Sequence, residues 1–228
     1  MSDPHITREF FEFFQDLKLH NDRDWFQTNR SRYEQFVREP LLRFVREFDF
    51  RLRAISPHFV ADARKNGGSV FRIHRDVRFS KDKSPYKTAA GVQFRHRSGK
   101  DVHAPGFYLH LEPGGCFVGM GIWRPDGPSL NKIRRGIVRQ PERWRDVIKE
   151  STVAGQFRQS GDRLKRPPKG FPPEHPLVED LKWKDYVVSR PLSDAEVLRP
   201  GFIDAFAADC SSGASFMRFL TDALGLSW

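Results

Sequence analysis

Two cysteines in 228 residues, Cys116 and Cys210, carry no metal-ligand spacing between them. That excludes a disulfide-stapled scaffold or a cysteine zinc site, and a reduced chain is the simplest expectation. No stretch approaches eighteen apolar residues, and the opening M-S-D-P-H-I-T-R-E-F-F-E-F-F has no basic region followed by an unbroken apolar segment. Neither membrane spanning nor secretion is expected, and the localisation inferred is cytoplasmic. There is no Walker A loop, no strand-linked G-x-G-x-x-G, no G-x-S-x-G and no H-E-x-x-H. ATPase, Rossmann dehydrogenase and ordinary serine hydrolase readings lose their usual sequence support. Repeats, low-complexity tracts and an interdomain linker are also missing.

What the chain does have is phenylalanine, 21 of them within 38% hydrophobic content, enough for a substantial core in one domain over 1–228. It also has positive charge. Thirty-nine Lys and Arg against 29 Asp and Glu leave a net +10, a field that favours phosphate-rich or otherwise anionic partners. The charge peaks at Phe71–Lys87, F-R-I-H-R-D-V-R-F-S-K-D-K-S-P-Y-K, where six Lys or Arg, two Asp, a His and a Tyr fall in seventeen residues.

The first half of that run alternates. Phe71, Ile73, Val77 and Phe79 share one parity and Arg72, His74, Asp76 and Arg78 the other, which is strand spacing. On a strand those four polar side chains form one row. From Ser80 the alternation is lost, and Ser84-Pro85 ends the strand in a loop carrying Lys81, Lys83, Tyr86 and Lys87. Arg75 falls on the apolar parity, so it needs either a carboxylate partner or a bulge that re-aims it.

Around this run the sequence predicts an α+β fold, a mostly antiparallel sheet from the middle of the chain packed by N-terminal and C-terminal helices. Region 1–60 reads as helical. Phe10, Phe11, Phe13, Phe14 and Leu17 share one face, a second helix enters after Asn21 or Asp22, and Pro40 opens a third that runs to Ile55. Region 68–125 reads as sheet-rich, with Ala90–Arg97 as one strand and a hairpin pairing Phe107–Glu112 with Cys116–Trp123 around Pro113-Gly114-Gly115. Gly119 and Gly121 strip one face of that hairpin, either for a ligand or for close backbone packing. Region 128–228 reads as helical with a basic loop. Lys132, Arg135 and Arg139 form a stripe with Arg134 beside it, Arg163–Phe171 is the loop, and Ser193 with Glu196 is a capping box.

The block R-D-V-R-F-S-K-D-K-S-P-Y-K at Arg75–Lys87 resembles the signature of a bacterial and fungal family grouped as a domain of unknown function, family 2461. The segments Asn21–Tyr33, Phe107–Trp123 and Leu164–Phe171 are similar to further blocks of that family. The resemblance implies one full-length α+β domain and brings no reaction, cofactor or catalytic residue with it.

Three readings of the run follow from its residue types. In the first, Arg72, Arg78, Lys81, Lys83, Tyr86 and Lys87 recognise an anion, on a phosphate-containing small molecule, a nucleotide-like ligand or nucleic acid, with Arg166 or Lys169 joining from the later loop. In the second, a hydrolase or transferase acts on a phosphorylated or carboxylated substrate, with Asp76 or Glu112 as base, His74 or His110 as proton shuttle, and Arg72 and Arg78 stabilising charge. In the third the motif is a structural ion-pair network, into which Arg75 and Asp82 fit. His74-x-Asp76 with His110-x-Glu112 has the alternation of a metal set, but Arg72 and Arg78 would repel a divalent cation, and no metal ligand is assigned. No cofactor is implied.

Overall fold

The computed structural model describes residues 4–99, 103–153 and 157–228, without the side chains of 150–153. Helix α1 (Arg8–Leu19) buries the five apolar residues of its predicted face. Asp22 then caps α2 (Arg23–Thr28), its carboxylate accepting from the Trp25 N–H. Helix α3 (Arg30–Tyr33) runs through a π turn at Glu34–Arg38 into α4 (Glu39–Ile55). The sequence predicts a fresh helix at Pro40. Pro40 does stand in the first turn of α4, but the chain is already helical before it, and the wider π turn accommodates a residue that has no N–H to donate and whose ring crowds the preceding turn.

Strands β1 (Ala90–Arg95), β2 (Gly106–Leu111) and β3 (Phe117–Ile122) form the expected hairpin and its neighbour. The sheet does not stop there. Helices α5 (Gly127–Arg139) and α6 (Pro141–Val153) lead to β4 (Arg158–Ser160), and α7 (Val178–Leu181) precedes β5 (Tyr186–Pro191). All five strands join one antiparallel sheet in the order β1-β2-β3-β5-β4. Two strands thus come from the half of the chain that reads as helix and loop. Helices α8 (Asp194–Val197), α9 (Phe202–Ser212) and α10 (Ala214–Leu224) close the chain, and the Ser193–Glu196 capping box forms in full.

One sheet face carries the core. Val92, Phe94, Phe107, Leu109, Val118, Met120 and Val188 point to the helices and are essentially inaccessible. Phe48 of α4 and Phe206 of α9 meet Phe94 of β1 at ring separations of 4.6 and 5.9 Å, tying both ends of the chain to the sheet. Each fully buried phenylalanine contributes about 2–3 kcal/mol, so this density of aromatics is a sufficient reason for the fold. The other face holds Gly91, Gln93, Tyr108, His110, Phe117, Gly119 and Ser189, paired across β1, β2, β3 and β5 by the register. The outer edge of β1 is covered by the segment entering the basic run, through Gln93 N–H to Ser69 O at 2.8 Å and Phe71 N–H to Gly91 O at 2.9 Å.

Candidate functional site

The basic run is an irregular hairpin, which corrects the expected strand over Phe71–Phe79. Its two limbs touch through Lys87 N–H to Ile73 O at 2.8 Å, Arg75 N–H to Pro85 O at 2.9 Å and a single bridge of His74 to Tyr86. A longer ladder is blocked because Pro85 has no N–H and the chain must turn between Val77 and Ser84. Burial nevertheless alternates as the parity predicts: Ile73 is buried and Phe71, Arg75 and Val77 half-buried, while Arg72, His74, Asp76 and Arg78 are exposed. Phe79 breaks the pattern, standing 95% exposed at the tip.

Most of the hairpin's charge is satisfied internally. Arg78 grips Asp76 through Nε at 2.9 Å and Nη2 at 2.7 Å, and holds that carboxyl down at about 2. Arg75 pairs with Asp82, whose other oxygen accepts from the Ser84 hydroxyl at 2.6 Å and N–H at 2.9 Å. Ser84 first and Arg75 second hold Asp82 far below the usual carboxylate range. Lys83 donates to Val77 O at 3.0 Å and Lys87 to Arg72 O at 2.9 Å. Arg75 is therefore the half-buried cation with a carboxylate partner that its parity demands. A carboxylate held as low as Asp76 has little proton affinity at neutral pH, which is poor chemistry for a general base.

Tyr86 lies 3% exposed, stacked on Phe26 at 4.1 Å and 19°. Its ring is a packing anchor. Lys81 is exposed at the turn.

Arg72 and His74 face a different neighbourhood. Together with Arg30, Arg38 and Lys65 they line a cavity of about 240 Å³ between α3, its π turn and the segment 65–74. Glu34 is the carboxylate in the lining, and it pairs with Arg38 at 2.8 Å. Lys65 reaches Glu39 at 3.7 Å. Arg30 and Arg72 form neither an ion pair nor a side-chain hydrogen bond among the described residues. Arg30 was not accessible to strand or helix periodicity, because only the docking of the hairpin's first limb on α3 brings it beside Arg72. The one sequence signal is that it falls inside the block Asn21–Tyr33.

His110 and Glu112 do not join His74 and Asp76. They lie on the open sheet face, where the Tyr108 hydroxyl meets His110 Nδ1 at 3.1 Å and His110 Nε2 meets Glu112 Oε2 at 3.3 Å. His110 also stacks on Phe117 at 4.7 Å. Burial pushes the Tyr108 phenol up to about 12. The predicted convergence of His74, Asp76, His110 and Glu112 is thus split between two sides of the hairpin. Among the described residues no three His, Cys, Asp or Glu side chains are grouped to hold a metal ion.

The later basic elements stand elsewhere. Lys165, Arg166 and Lys169 are exposed in their loop, and Arg163 packs its guanidinium 4.5 Å from the Trp183 ring. Lys132, Arg135 and Arg139 are solvated, whereas Arg134 is 6% exposed and donates to Leu181 O at 2.7 Å and Trp183 O at 3.0 Å. It is a structural clamp between α5 and the approach to β5. Burial pushes the Cys116 thiol up to about 12 and that of Cys210 well above its ordinary value, so neither is a ready nucleophile. No helix among the described residues is long and apolar enough to cross a membrane.

No curated protein matches the chain. The sequence profile of the family described as Conserved hypothetical protein (DUF2461) matches residues 9–219, which takes in α1, the basic hairpin, the whole sheet and most of α10. The chain belongs to that family.

Proposed function

We propose that the protein recognises a small phosphate-bearing or similarly anionic ligand in the cavity between α3 and the first limb of the basic hairpin. The observation that carries this reading is that Arg30 and Arg72 line one cavity with both guanidinium groups unengaged among the described residues. Among the described residues four cations and one carboxylate line it, Arg38 paired with Glu34 and Lys65 with Glu39, and His74 adds a polar ring. Planar guanidinium forks suit phosphate oxygens, and a concave site strengthens the attraction by excluding part of the solvent.

The internal ion pairs of the hairpin serve this reading rather than compete with it. Arg75–Asp82 ties the first limb to the turn that leads into the second, and Asp76–Arg78 stiffens the first limb locally. Arg72 and His74 are thereby presented from a braced backbone. A cavity of about 240 Å³ fits one or two phosphate groups better than a duplex.

Calorimetric titration with inorganic phosphate and pyrophosphate at low salt tests the proposal. Each guanidinium contributes charge-assisted hydrogen bonds of about 1.5–3 kcal/mol, so Arg30→Ala and Arg72→Ala each weaken binding roughly tenfold or more. Arg78→Ala, whose partner is Asp76, leaves binding within about threefold. Equal binding by the native chain and the Arg30→Ala/Arg72→Ala double variant sinks the reading. Duplex DNA held by about five phosphates would give a log-affinity against log-salt slope of roughly −4 to −5, which the small-ligand reading does not expect.

A further inference from the structure

The open sheet face carries cavities of its own. Phe71, Tyr108 and His110 line two cavities that meet at these residues, one of about 530 Å³ and one of about 660 Å³. Both volumes fall in the range of small-molecule pockets. The first lies over β2, β3 and β5, with Gly119 in its floor and Phe117 and Trp123 in its walls, and among the described residues no Asp, Glu, Lys or Arg lines it. The second runs past Phe71 to Lys18 and Lys87.

The charges at that far end are unbalanced. Asp82 is the carboxylate in the lining, and Arg75 already neutralises it. Lys87 donates only to a carbonyl, and its ammonium lies 5.5 Å from the Phe71 ring. The Lys18 ammonium has no hydrogen bond or ion pair among the described residues. An aromatic groove therefore ends at two cations that no carboxylate among the described residues pairs with.

Gly119 makes the groove deep without being needed for the fold. A Cβ placed there would meet the Phe117 ring at 3.7 Å and Val188 O at 3.8 Å, ordinary contact, so a side chain would fit and its absence lowers the groove floor. Across the strands Gly119 stands between Tyr108 and Ser189. The rings of Tyr108 and Phe117, 5.7 Å apart on one side of this bare backbone, offer an apolar wall to a flat ring system, and the Tyr108 hydroxyl and His110 offer it a polar edge.

We propose that this groove binds a small planar aromatic anion, its ring against Tyr108 and Phe117 over Gly119 and its negative group toward Lys87 and Lys18. The site is separate from the basic cavity and stands or falls independently of it.

The test is a fluorescence titration of the full chain with two dyes, 8-anilinonaphthalene-1-sulfonate and N-phenyl-1-naphthylamine, the same rings without the sulfonate. The native chain is expected to bind the sulfonate at least fivefold more tightly. Lys18→Gln/Lys87→Gln removes that preference, and Gly119→Leu weakens both dyes tenfold or more while the circular dichroism spectrum is unchanged. Ser189→Leu, which fills the same groove from β5, reproduces the loss should Gly119→Leu disturb the strand. Arg30→Ala leaves both dyes unaffected, so failure of the phosphate site and of this one are told apart. Equal affinity for the two dyes, a preference that survives the lysine substitutions, or native binding by both groove-filling variants overturns the proposal.

Discussion

Asn21 holds Tyr86 by both of its amide groups: its nitrogen donates to the Tyr86 carbonyl and its oxygen accepts from the Tyr86 N–H, each at 3.0 Å. The side chain thus takes the place of a strand neighbour on the edge of Tyr86 that faces away from its bridge partner His74. It joins the loop before α2 to the returning limb of the hairpin, 65 residues later. With Phe26 stacked on the Tyr86 ring, the helical region and the basic run become one rigid support. Arg30, one turn beyond Phe26, is placed beside Arg72 by that support.

Replacing Asn21 with Ala strands one partly buried donor and one acceptor, a loss of about 2 kcal/mol. Asn21→Asp keeps the acceptor but sets a carboxylate oxygen against the Tyr86 carbonyl, and is expected to cost nearly as much. Urea denaturation measures both. Midpoints that coincide with the native chain's would show that the clamp is ornamental.

Gly119 and Gly121 sit two residues apart on one face and have opposite reasons to be glycine. At Gly121 φ is +131°, and a Cβ would stand 2.0 Å from Tyr186 O on β5. Gly121→Ala is therefore expected to destabilise the fold by about 3 kcal/mol or more, through backbone strain and parting of β3 from β5. Gly119→Ala costs less than about 1 kcal/mol. Thermal melts of the two variants decide it, and a Gly121→Ala protein as stable as the native one contradicts the geometry.

The alternation in Phe71–Val77 correctly divided inward from outward side chains but overstated the backbone pairing, because burial parity needs only an extended chain and a ladder needs a partner. Helix α1, the β2–β3 hairpin and the Ser193 cap were legible, since each is specified by residues within a few positions of one another. Strand β4 is three polar residues, Arg158–Ser160, and takes its conformation from the edge of β5 rather than from its own pattern. That Arg30 and Arg72 line one cavity was illegible for a related reason: a solvated helix face and a cavity wall have the same local sequence. Close backbone approach is one of the readings the sequence offers for this pair of glycines, yet only the φ angle and the facing strand place it at Gly121 and not at Gly119.

Arg190, on the core face of β5, is held by Asp209 through Nε at 3.1 Å and Nη2 at 2.6 Å, and by Glu196 at 3.1 Å. Asp209 is 7% exposed, so Asp209→Ala leaves a largely desolvated guanidinium with one partner and is expected to cost about 3 kcal/mol. Glu196 is more exposed and also closes the α8 capping box, so Glu196→Ala costs about 1 kcal/mol. Denaturant titration should rank the two in that order. The reverse ranking would assign the stability to the cap and not to the buried pair.

The Asp76–Arg78 pair gives the hairpin a defined acid limit. Arg78 lowers the Asp76 carboxyl from 3.8 to about 2 through side-chain hydrogen bonds first and its backbone N–H second. A group whose pKa is depressed by folding stabilises the folded form above its unfolded value and loses that contribution as pH falls through the folded one. The pair is therefore fully effective above about pH 4 and is lost on descending toward pH 2. Because both side chains are solvent-exposed, the effect is local order, not global stability. A carboxyl carbon NMR titration should place the Asp76 midpoint near 2 and return it toward 3.8 in Arg78→Ala. Amide exchange across Phe71–Lys87 should quicken over the same pH window once the intrinsic pH dependence of exchange is subtracted. An Asp76 midpoint that Arg78→Ala does not move would mean that the brace presenting Arg72 and His74 is not this pair.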